Sequence, residues 1–131
     1  MHSVRTISIV DDDEASRYAI ASLVRSLGWS ATVFESAEHY LRSLSQQASA
    51  AESACLISDI KMPGMSGIEM HDRLSASGQA PPTIFVTAFA TDSLREQIAA
   101  RGALALLEKP VDAEALAHYL TLATGSATGD R

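Results

Sequence analysis

Short apolar runs alternate with amphipathic stretches five times along the chain, and few architectures accept that pattern. The runs are 6–10 (TISIV), 31–35 (ATVFE), 54–60, 83–88 (TIFVTA) and 103–108. Between the first two, Ile20, Leu23, Val24 and Leu27 recur at helical spacing, and Gly28 stops the helix. Ser36 can cap a second helix with the face Ala37, Tyr40, Leu41 and Leu44. Further helices are predicted over 68–77 and 92–101, stopped by Gly78 and Gly102. Asp112 can cap a last one with the face Ala113, Leu116, Ala117 and Leu120. The polar stretch 46–53 reads as a surface loop, and 62–67 (MPGMSG) as a turn-rich one.

Strands spaced by helices predict a parallel sheet covered on both faces, with right-handed crossovers. The expected fold class is α/β: a five-stranded, doubly wound sheet. In such sheets ligands bind beyond the carboxyl ends of the strands, where strand order reverses. Those ends carry Asp11, Asp12, Asp13 and Glu14 after the first strand, Asp59 near the end of the third, Thr87 on the fourth, and Lys109 with Pro110 after the fifth. Asp59 interrupts an apolar strand expected to be buried, where an unpaired acid is costly. Asp13 and Glu14 read as ordinary first-turn acids of a helix.

Carboxylates crowded on one edge repel and raise one another's pKa, and a hard divalent cation resolves that repulsion. Mg²⁺ suits the set, because it takes one or two carboxylates and keeps several waters. Lys109 adds a point charge and Thr87 a hydroxyl donor. A nucleophilic carboxylate, a metal and a cation are the parts that phosphoryl transfer needs.

The bulk properties set limits on partners and location. The chain has 131 residues, one domain's worth, and its 47% apolar content supports a core. A net charge of −6 argues against nucleic-acid binding by this segment, since phosphate contacts need a basic face. Cys55 is the single cysteine; it reads as a small buried hydrophobe and excludes an internal disulfide. The N-terminus lacks the apolar core of a signal peptide, and the uncharged stretch 74–91 is too broken by Gly78, Pro81 and Pro82 to span a bilayer. A cytoplasmic location is expected.

The segments IVDDD (9–13), SDIKMPGMSG (58–67), VTA (86–88) and EKP (108–110), with their spacing, resemble the receiver domains of two-component response regulators, and most of all the FixJ type. The resemblance runs over about residues 5–123. It implies a flavodoxin-like (βα)5 fold with strand order 2-1-3-4-5. By the same resemblance Asp59 is the phospho-acceptor, Thr87 the switch hydroxyl and Lys109 the phosphoryl contact. The Lys109–Pro110 bond is expected to be cis. The metal ligands implied are Asp12, Asp59 and the backbone carbonyl of Lys61, with Asp11 acting through water. The implied metal is Mg²⁺, or Mn²⁺ in its place.

The implied partners are a sensor histidine kinase or phosphotransfer protein, and then a downstream protein or a second copy, bound through helix 4, strand 5 and helix 5. Two features depart from the common pattern. Leu106 stands where receivers often carry Tyr or Phe, and Lys61 sets a long cation beside the metal site, turned either to solvent or toward the phosphoryl group. Residues 1–123 are read as the receiver and 124–131 as a polar tail or linker remnant. FixJ-type regulators continue into a helix-turn-helix domain, which nothing after residue 123 resembles.

Two other readings remain. A Mg²⁺-dependent phosphatase with an aspartate nucleophile would need a cap insertion, and every connecting loop is short. An interaction module that is never phosphorylated would have no need of the complete acidic set.

Overall fold

A computed structural model describes residues 5–46 and 52–125. Its elements alternate without exception: β1 (Arg5–Val10), α1 (Glu14–Ser26), β2 (Ala31–Phe34), α2 (Ala37–Gln46), β3 (Glu52–Asp59), α3 (Gly67–Ala76), β4 (Thr83–Thr87), α4 (Asp92–Ala100), β5 (Ala105–Glu108) and α5 (Ala113–Thr124). The strands form one parallel sheet in the order β2-β1-β3-β4-β5. The expected fold class and strand order are thus the observed ones.

Side-chain alternation divides the core between the two faces of the sheet. Ile7 and Ile9 of β1, with Cys55 and Ile57 of β3, pack with Ile20 and Val24 of α1 and Leu116 and Leu120 of α5. Val10 and Leu56, of the other parity, pack with Tyr40 of α2 and Met70 and Leu74 of α3. A smaller cluster joins Phe85 of β4 to Ile60 and to Ile98 of α4, and half-buried Leu106 packs on it. Each such side chain contributes roughly 1.5–3 kcal/mol by leaving water. Cys55 is fully buried, and burial pushes its thiol up to about 12, so it stays protonated and inert.

Several boundaries differ from the sequence-based expectation. β3 begins at Glu52, so two residues of the predicted loop 46–53 are strand; Gln46 ends α2, and 47–51 lie outside the described residues. Ser53 can sit in the sheet because its hydroxyl is satisfied there, 2.7 Å from the Ser8 hydroxyl and 2.8 Å from that of Tyr40. Ile60 leaves β3 because its N–H turns to the Asp59 carboxylate and its carbonyl accepts from Gly67. β5 starts at Ala105 rather than 103, since the N–H of Ala103 closes the end of α4 on the Ile98 carbonyl. The expected polar tail 124–131 overlaps α5 at Thr124; Gly125, at φ 74°, caps that helix, and 126–131 lie outside the described residues.

Candidate functional site

The parallel sheet puts the ends of β1, β3, β4 and β5 on one edge. At the end of β1 the three aspartates divide three tasks. Asp11 is fully buried: Oδ1 accepts the Asp13 N–H at 2.9 Å, and Oδ2 accepts the Ser16 hydroxyl at 2.7 Å. Asp12 is exposed at the mouth of the site. Asp13 caps α1, accepting the Ser16 N–H at 2.8 Å, so it is the cap of the helix and Glu14 alone is the first-turn acid. Arg17 donates from Nη1 to the Asp11 carbonyl at 2.9 Å, which ties α1 to the strand end.

Asp59 closes β3 with 8% of its surface exposed. Its Oδ1 accepts the Ile60 N–H at 2.9 Å. The ammonium of Lys109 lies between the two buried acids, 3.0 Å from Asp11 Oδ2 and 3.5 Å from Asp59 Oδ2. The Lys109–Pro110 bond is cis, as expected from the resemblance. Lys109 is also held through its main chain, whose N–H donates to the Thr87 carbonyl at 2.9 Å. Burial works against the charge of Lys109, but its hydrogen bond to Asp11 and the nearby carboxylates outweigh burial and hold its pKa above the usual value.

Thr87 is 5% exposed, and its hydroxyl faces the following loop. It donates to the Phe89 carbonyl at 3.3 Å and accepts the Phe89 N–H at 3.4 Å. Both distances are long for such bonds. The same loop is held by Glu108, whose Oε2 accepts the Ala90 N–H at 2.9 Å. A cleft of about 340 Å³ opens here, lined by Asp59, Lys61, Thr87, Phe89, Leu94 and Lys109 among others. Lys61 is exposed yet borders this cleft.

One carboxylate oxygen each from Asp11, Asp12 and Asp59 lies within 4.8 Å of the others. Three hard oxygens, two on buried residues and one at the solvent edge, fit a hard divalent cation that keeps some of its waters. Asp59 also carries the electrostatic mark of such a place. Burial, and then the Asp11 carboxylate, push it up to about 6, against the opposing pull of Lys109 and of the Ile60 N–H.

This shift has a measurable consequence in metal-free protein. A carboxyl raised from 3.8 to about 6 favours the folded state while protonated, and that contribution is lost as pH rises through about 6. Asp59→Asn keeps an acceptor for Ile60 without the buried charge. At neutral pH and without divalent cations the variant should therefore be more stable than the parent by about 1–3 kcal/mol, the upper figure being the full shift at 1.36 kcal/mol per pH unit. Urea unfolding against pH checks this. A variant that is equally stable, or a parent with no loss of stability between about pH 4 and 7, would contradict the assignment of a strained carboxylate.

Of the residues singled out in the sequence, Asp59, Lys61, Thr87 and Lys109 line this cleft and Asp11 and Asp12 converge on Asp59, whereas Asp13 caps α1 and Leu106 packs against Phe85, Ile60 and Ile98. Ser16, Arg17, Gly67 and Glu108 were not singled out, although each fixes a backbone or carboxylate here. Ser16 follows the Asp13 cap by three residues, a spacing that reads as capping alone.

The family described as the response regulator receiver domain matches residues 7–121. The chain is 36% identical over 110 residues to the response regulator protein TodT of Pseudomonas putida, covering 84% of this chain and 47% of that protein. It is 32% identical over 110 residues to the transcriptional regulatory protein FixJ of Bradyrhizobium diazoefficiens, covering 84% and 52%. The chain thus spans about half the length of the curated relatives it matches. Among solved structures, a response regulator receiver protein from Burkholderia phymatum superposes with a TM-score of 0.81 at 36% identity, over 95% of this chain and 98% of that one. The FixJ-N crystal structure superposes with a TM-score of 0.78 at 25% identity, over 95% and 96%. No described helix is long and apolar enough to cross a membrane. The sheet order, the acids and lysine on its carboxyl edge, and a family match over nearly the whole chain agree, and the chain belongs to the response regulator receiver domains.

Proposed function

We propose that Asp59 accepts a phosphoryl group and that the change in charge switches a partner-binding surface. The observation that carries this reading is Asp59 at the base of an open cleft, faced by Lys109 at 3.5 Å and flanked by Asp11 and Asp12. In transfer from a histidine kinase or phosphotransfer protein, a carboxylate oxygen of Asp59 bonds to phosphorus. The donor's N–P bond breaks, its electron pair returns to the imidazole, and the ring takes a proton from solvent. Asp59 must be ionised to attack, and Lys109 favours that form. Mg²⁺ (or Mn²⁺), held by Asp12, Asp59 and the Lys61 carbonyl with Asp11 acting through water, would neutralise charge on the phosphoryl oxygens. The chain acts here as a phospho-acceptor that assists its own phosphorylation and dephosphorylation, not as a turnover enzyme.

Hydrogen-bond strengths support the switch. The long bonds of Thr87 to Phe89 are neutral ones, each worth about 0.5–1.5 kcal/mol at best, whereas a bond to a charged phosphoryl oxygen is worth about 1.5–3. The difference favours turning the hydroxyl inward and frees the Phe89 backbone. The β4–α4 loop and the surface of α4, β5 and α5 then shift toward a second arrangement. That surface binds a downstream protein or a second copy. Leu106 lacks a hydroxyl, so its contribution to this shift is smaller than that of a tyrosine. The receiver runs through the end of α5 and its Gly125 cap, past the expected boundary at 123. The protein works in the cytoplasm and makes no direct nucleic-acid contact through this acidic segment.

The test is Lys109→Ala with Mg²⁺ and phosphoramidate, read by NMR. The parent should shift resonances across 87–106 on phosphorylation. The variant should still take up some phosphate but show less than about half of that shift, since the charge-assisted contact that holds the active arrangement is gone. A full response in the variant would make Lys109 a bystander. No response in a phosphorylated parent would refute the switch.

A further inference from the structure

The loop between β3 and α3, residues 60–66, has to present the Lys61 carbonyl at a fixed place. Its base is closed by the Gly67 N–H, which donates to the Ile60 carbonyl at 2.9 Å. Met62 is buried among Tyr40, Met70 and Leu74. At its far end Ser66 and Glu69 form a reciprocal cap on α3. The crown of the loop is held from a different element. Glu38, in the first turn of α2, accepts the Met65 N–H on Oε2 at 3.0 Å. Gly64 beside it has φ 77°, and a Cβ there would stand 2.7 Å from the same oxygen. The glycine therefore serves both the turn and the close approach of the carboxylate. Among the described residues, no other side chain from outside β3 and α3 hydrogen-bonds to this loop.

We propose that Glu38 is a positioning residue for the divalent-cation site, holding the loop so that the Lys61 carbonyl stays in place for the metal. This rests on the reading of that carbonyl as a ligand. Residues that orient ligands from behind typically govern metal affinity by about 10–100-fold. An effect near the lower figure is expected here, because Met62 and the closure at Gly67 still hold the base of the loop. The competing account is that Glu38 only offsets the dipole at the start of α2. Glutamine separates the two, since it keeps the acceptor oxygen and drops the charge.

The experiment is a Mg²⁺ titration of the full chain without phosphodonor, following the Lys61 carbonyl ¹³C and the amides of 59–62 by NMR. Amide hydrogen exchange at Met65 in metal-free protein is measured alongside. Glu38→Ala should weaken Mg²⁺ binding about tenfold and speed exchange at Met65, with the other resonances unmoved. Glu38→Gln should bind within about twofold of the parent and keep Met65 protected. If the parent's Lys61 carbonyl does not respond to Mg²⁺, the ligand reading fails. If it responds and Glu38→Ala binds as tightly as the parent, or Glu38→Gln is as weak as the alanine variant, the positioning role fails.

Discussion

An Asp12→Ala variant is expected to fold as the parent does and to lose Mg²⁺-dependent phosphoryl uptake by at least about a hundredfold. The reason lies in the division of labour within the acidic run. Asp11 is fully buried and anchors Lys109, Ser16 and the Asp13 N–H, so removing it leaves a half-buried lysine short of a partner. Asp13 caps α1, and its loss costs about 1 kcal/mol. Asp12 is exposed and does neither, so alanine there should change stability by no more than about 0.5 kcal/mol. It does remove one of the three converging carboxylates. Initial rates with phosphoramidate, with and without Mg²⁺, measure the effect. If the variant takes up phosphate at the parent's rate, Asp12 is not part of the metal site.

Gly67→Ala should be among the most damaging single-methyl changes in the domain. A Cβ at Gly67 would lie 2.1 Å from the Asp59 carbonyl oxygen and 2.8 Å from the Ser58 hydroxyl. Both neighbours are fixed. Asp59 is paired with Val86 in the sheet, and the Ser58 hydroxyl donates to that same Asp59 carbonyl at 2.8 Å. Relief requires α3 to retreat from β3 and break the closure from Gly67 to Ile60. A loss of more than about 3 kcal/mol is expected, at the top of the range for overpacking. Gly102→Ala is the contrast, because that site is open and only its φ of 76° opposes a side chain. There the cost should be about 1–2 kcal/mol. Urea denaturation of the two variants gives the comparison. Equal costs would show that the contact at Gly67 relaxes easily.

How far the sequence could be read depends on the range of the interaction concerned. The five βα units, the glycine stops at 28, 78 and 102, and the strand-end acids are local in the chain, and they stand where expected. The strand order came from the family resemblance, because periodicity does not order parallel strands. Ser53 reads as loop from the sequence because polarity at a strand start is ambiguous until Ser8 and Tyr40 are known to face it. Three consecutive aspartates gave no sign of which one is buried; that follows from where β1 ends and α1 begins. The links from Glu38 to Met65 and from Glu108 to Ala90 join residues 27 and 18 positions apart. No local pattern announces such pairs. In the sequence Gly67 belongs to a turn-rich loop, and its packing against Asp59 shows only when β3 and α3 are side by side.

Asp59 alone should receive the phosphoryl group. The most direct measurement is incubation with Mg²⁺ and phosphoramidate, followed by intact mass and by borohydride reduction, which converts an aspartyl phosphate to homoserine for peptide mapping. The expected result is one phosphoryl group per chain, homoserine at position 59 only, no uptake when Mg²⁺ is chelated, and none by Asp59→Asn. Unchanged uptake by Asp59→Asn, or homoserine at position 11, 12 or 13 in the parent, would contradict it.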